Sequence, residues 1–133
     1  MKRGYRVAGL SLLLAATFAC GSDGPDDGRC GDEALTFSVT PGIHPTIGWT
    51  PNCTIAQMRI IHNETDTEVW SFVASSNAVE PGIVYGETPI GATETNPPET
   101  LVFNDAYTVR VAVLDPDENI LLVIGSVEFT PEL

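Results

Sequence analysis

From Ala34 to the C-terminus, apolar residues recur at every second position in short runs, and Pro, Gly, Asn or Asp closes each run. A period of two puts alternate side chains on opposite faces of a strand, so the pattern predicts half-buried β-strands; the three-to-four spacing of an amphipathic helix is missing throughout. Leu35, Phe37 and Val39 share a face of the first predicted strand, which ends at Pro41-Gly42. Ile47 and Trp49 flank Gly48 in the second, Met58 and Ile60 mark the third, and Asn63-Glu64-Thr65-Asp66 turns the chain into Glu68 to Val73. Ser, Asn, Pro and Gly interrupt every apolar run in residues 74–100, which predicts a long, mostly irregular connection with one or two short strands around Ile83 to Tyr85 and Ala92 to Thr95. Regularity returns with Tyr107, Val109, Val111 and Val113, leaving Thr108 and Arg110 toward solvent; Asp115 to Asn119 makes a turn, and Ile120 to Thr130 runs back as the last strand.

The N-terminal pattern is of another kind. Lys2, Arg3 and Arg6 precede an apolar stretch from Val7 to Phe18, which closes on Ala19-Cys20. About a dozen apolar residues fall short of the roughly 20 that span a hydrocarbon core, so the stretch reads as an export signal, residues 1–19. Two processing routes cut at the same bond. Ordinary signal peptidase would accept the small Thr17 and Ala19. The cysteine at the cleavage point resembles that of bacterial lipoproteins, with Thr17 where the lipobox usually has Leu and Phe18 where it has a smaller residue. The resemblance implies lipidation at Cys20 and a membrane held through that lipid. It also implies the outer membrane over the inner one, because Gly21 stands where an Asp retention signal would be. Residues 20–33, rich in Gly, Asp, Ser and Pro, then read as the lipidated cysteine and a flexible tether, and residues 34–133 as one domain.

Charge narrows the partners. Cleavage removes three of the six basic residues and none of the eighteen acidic ones, leaving Arg29, Arg59 and Arg110 and a formal charge of −15. A chain with so few cations has nothing with which to neutralise phosphates, which disfavours nucleic acid and anionic lipid surfaces and favours divalent cations or basic partners.

Acylation of Cys20 would leave Cys30 and Cys53 to pair in an oxidising compartment. The competing use of these cysteines is a zinc site shared with His44 and His62, although none of the compact Cys-x-x-Cys or His-x-x-x-His spacings is present. Asp115-x-Asp117-x-Asn119 resembles the opening of a calcium loop, yet Ile120 stands where the turn needs Gly and Ser126 where the bidentate Glu belongs, so a plain turn is expected. Trp70, Phe72 and Tyr85 are candidates for an exposed aromatic platform that would bind carbohydrate or peptide, against core packing as the alternative. With no nucleophile elbow, phosphate loop or paired catalytic acids, no enzyme and no cofactor are expected.

Two stretches carry a resemblance to the fibronectin type III family. Pro45-Thr46-Ile47-Gly48-Trp49-Thr50-Pro51 resembles its second strand with the buried tryptophan. Leu101 to Val111 is similar to its tyrosine corner, with Leu101 six residues before Tyr107 and alternation afterwards. The resemblance implies an antiparallel β-sandwich of about seven strands. It also places the start of strand one beside the end of strand two, where a Cys30–Cys53 disulfide would staple tether to domain. The function this implies is a lipid-anchored cell-envelope module, structural or protein-interacting, with carbohydrate or peptide binding through residues 74–100 and the nearby aromatics as the alternative.

Overall fold

The computed structural model describes residues 28–31 and 33–133. The predicted signal, Cys20 and the tether up to residue 27 lie outside the described residues. Among those described there is no helix, and eight strands follow one another: β1 (Thr36–Val39), β2 (Thr46–Thr50), β3 (Gln57–His62), β4 (Thr67–Ala74), β5 (Ile83–Val84), β6 (Ala92–Asn96), β7 (Tyr107–Asp115) and β8 (Ile120–Phe129). They form two antiparallel sheets, one in the order β1-β2-β5 and one in the order β6-β4-β3-β7-β8. The irregular connection thus supplies two strands, one to each sheet, which is why eight are found where the sequence predicts about seven.

Alternation becomes a core because the register aligns it. Met58 lies opposite Phe72 on one side and Val111 on the other, and Ile60 opposite Trp70 and Val109. All six side chains are completely buried. Ile47, Trp49 and Ile83 come from the smaller sheet into the same cluster, so both sheets share one apolar interior. Arg59 and Arg110 pair across the opposite, outer face. At the far side Phe37 lies so close over β8 that a Cβ on Gly125 would come within 3.1 Å of its ring, which makes Gly125 a contact position between the sheets.

Two tyrosines tie down the ends. The Tyr107 hydroxyl accepts a hydrogen bond from Val102 N–H at 2.9 Å, holding the loop before β7 against the core. Tyr85 donates to the Glu99 carbonyl at 2.7 Å, and burial pushes its hydroxyl pKa well above the ordinary tyrosine range.

The end of the predicted tether is tied to the domain. Cys30 N–H donates to the Thr54 carbonyl at 2.8 Å and Thr54 N–H to the Gly28 carbonyl at 3.0 Å. Cys30 is buried and bonded to Cys53 across 23 positions of sequence. Residues 28–31 are thus joined to the domain by backbone pairing and a covalent link.

On the outer face Glu68 accepts from Arg59 Nε at 2.7 Å and from the Ser71 hydroxyl at 2.7 Å. Partial burial pushes the Glu68 pKa up, but the two hydrogen bonds and the Arg59 charge together outweigh it and hold it below 4.5. A folded-state pKa below the unfolded one stabilises the fold at pH above the ordinary glutamate value, and this is lost as pH falls through the folded-state pKa. The stability difference between wild type and Glu68→Gln in urea is expected to be larger at pH 7 than at pH 3; a difference independent of pH would disprove the assignment.

Candidate functional site

The aromatic platform does not form. Trp70 and Phe72 are completely buried and Tyr85 is 4% exposed. Trp70 meets Phe72 and Tyr85 edge-on, each at 5.2 Å between ring centroids, so the three rings build the core that a stacked sugar would have to displace. Inward alternation of β4 places Trp70 and Phe72, and the Tyr85 hydroxyl is spent on backbone carbonyls. Against the same 74–100 segment lies an open groove of about 460 Å³ between Ile43, His44, Glu87, Pro98 and Thr100. Of the three candidate rings only Tyr85 borders this groove, and it is 4% exposed; Trp70 and Phe72 lie in the interior.

Asp115, Asp117 and Asn119 form the β7–β8 hairpin turn. Asp117 N–H donates to the Asp115 carboxylate at 3.0 Å and Asn119 N–H to the Asp115 carbonyl at 2.6 Å. Asn119 holds the left-handed φ of 56° that Asn tolerates well. The zinc set of Cys30, Cys53, His44 and His62 is excluded by the disulfide, since both sulfurs are bonded to each other.

Beyond that turn the structure exposes what alternation left unmarked. Ile120, Leu121, Leu122 and Val123 are 44%, 39%, 43% and 61% exposed. They occupy the start of β8, an edge strand of the larger sheet, whose outer backbone groups have no neighbouring strand among the described residues. The other edge of this sheet is guarded: β6 carries Glu94 and runs into Pro97-Pro98. A continuous aliphatic run predicts a buried strand in sequence, so only the position of β8 reveals it as surface.

At the end of the molecule where β3 turns into β4, His62 meets residues from a distant loop. Its Nε2 lies 2.9 Å from Asp105 Oδ2 and its Nδ1 2.7 Å from Thr65 Oγ1, while the ring packs 5.0 Å from that of Tyr107. The Glu64 carboxylate completes a group whose three ligand atoms lie within 4.8 Å of one another. The two loops are locked together: Asn63 N–H donates to the Ala106 carbonyl at 3.0 Å, Thr108 donates to the Asn63 amide oxygen at 2.7 Å, and the Asn63 amide donates to Glu128. The sequence marks His62 only as an imidazole beside a strand end; Asp105, 43 positions away, carries no local signal.

Comparison with protein-family models, curated proteins and solved structures found no match.

Proposed function

We propose that this protein is a non-catalytic interaction module of the bacterial cell envelope, held to the outer membrane by a lipid on Cys20, which binds a partner protein by strand addition along β8. The observation that carries the reading is the exposed aliphatic run Ile120–Val123 on an edge strand. Unpaired backbone groups offer hydrogen bonds to an incoming strand, and exposed apolar side chains offer burial. Asp115, Asp117 and Glu118 flank the run at one end and Glu128 at the other, so the complementary strand is apolar in its centre and basic at its ends. A fibronectin type III-like sandwich is supported by the sheet order β1-β2-β5 against β3-β7-β8, and by the bond from Val102 N–H to the Tyr107 hydroxyl.

The test uses a synthetic strand peptide with alternating Val and Thr in the centre and Lys at both ends. It is expected to shift the amide resonances of Ile120 to Val123 on binding, and to lose affinity when its Lys are replaced by Glu or when the protein carries Val123→Lys. Binding that ignores both changes would refute β8 as the docking edge. The anchor is tested separately: Cys20→Ala is expected to release the protein from membranes, and an unmodified N-terminal cysteine in the mass of the mature wild-type protein would rule it out.

A further inference from the structure

We infer that His62, Glu64 and Asp105 form a zinc-binding site, independent of the β8 surface and of the cysteines. The cluster has the chemistry of such a site: one imidazole and two carboxylates, a nitrogen and oxygen set that suits Zn²⁺ better than the all-oxygen cations Ca²⁺ and Mg²⁺. Two of the three ligands are already in contact. Thr65 holds His62 Nδ1, which orients the ring and leaves Nε2 toward Asp105, the arrangement in which the far ring nitrogen donates to an outer partner while the near one takes the metal. Zinc would sit between Nε2 and Asp105 Oδ2, with Nδ1–H donating to Thr65, and a swing of the exposed Glu64 side chain would supply the third ligand.

Charge and space point the same way. The cluster opens on a cleft of about 390 Å³ that is also lined by Asn104 and Glu128, so there is room for water to complete a fourth position. Three carboxylates, Glu64, Asp105 and Glu128, gather there around one imidazole. Arg59 is committed to Glu68, and Arg110 stands on the outer sheet face. In a chain with a formal charge of −12, a divalent cation in this cleft would offset the mutual repulsion of these carboxylates. The loops that carry the ligands are pinned by the Asn63 bonds to Ala106, Thr108 and Glu128, so His62 and Asp105 are held together before a metal arrives.

The experiment is calorimetric titration of the full chain carrying Cys20→Ser, which removes the thiol that would capture the metal, with ZnCl₂. Saturable binding of one zinc per chain is expected, weakened at least about tenfold by His62→Gln and by Glu64→Gln and unchanged by His44→Gln. Calcium and magnesium chloride are expected to bind more weakly. Glu64 is exposed, so its replacement is expected to leave the fold intact, and that variant decides the matter even if His62→Gln fails to fold. Absence of saturable zinc binding, full affinity in Glu64→Gln, or calcium binding as tight as zinc would each overturn the site; a His62→Gln protein that is less stable yet binds zinc normally would reduce His62 to a structural contact.

Discussion

Replacing Trp70 by alanine is expected to lower the unfolding free energy by about 3–5 kcal/mol, the range for deleting a large ring from a core that cannot collapse around the loss. The indole is completely buried between Phe72 and Tyr85, and its Nε1–H donates to the Glu94 carboxylate at 3.1 Å. Truncation would therefore open a cavity between two edge-on rings and remove a bond that holds β6 to β4. Arg110→Ala, on the exposed outer face of β7, is expected to change stability by less than about 0.5 kcal/mol. Urea unfolding of both variants followed by tryptophan fluorescence and circular dichroism measures the difference. The comparison also tests register: Ile60 pairs with Trp70 and Val109, and a slip of one residue would carry the arginine inward and the tryptophan out. An Arg110 variant that is the more destabilised of the two would mean the strands are misaligned.

Breaking the disulfide is expected to be nearly as costly. Cys53→Ser should lower stability by about 2–4 kcal/mol, because a cross-link spanning 23 positions restricts the unfolded chain by about 3 kcal/mol on loop-closure arguments. Cys30 is itself buried in the core cluster, and the bond fixes residues 28–31 where they pair with Thr54. The Trp49 Nε1–H donates to the Cys53 carbonyl at 2.9 Å, so the turn after β2 is held from two sides and the loss is expected to be felt there first. Amide exchange at Cys30, Thr54 and Ile55, with and without reductant, reports it. Two free thiols in the native protein under oxidising conditions would contradict the link.

The strands were legible where one face is buried and the other is wet. Tyr107 to Val113 shows a clear alternation, and β7 lies at that place with Tyr107, Val109, Val111 and Val113 buried and Arg110 exposed. Residues 74–100 were legible only in outline. Ile83 and Val84 have too few neighbours for a period to show, and β6 is polar apart from Ala92, being held to β4 by backbone and side-chain hydrogen bonds more than by apolar contrast. Trp70, Phe72 and Tyr85 were open to two uses, since an aromatic residue serves equally as core and as platform; the register of β4 against β3 chose the core.

Composition and order of residues alone determined the all-β class, the position of most turns and the opportunity for Cys30 to meet Cys53, because side-chain period, backbone preference and loop length are properties of the chain itself. What only the tertiary structure decided is which surfaces meet. Ile120–Val123 became an exposed edge because no further strand among the described residues lies beyond β8, and His62 found Asp105 because β3 and β7 are neighbours in the sheet, bringing together two loops that are far apart in sequence. Contacts of that kind depend on strand order, and strand order comes from packing two sheets around one core, which no local pattern encodes.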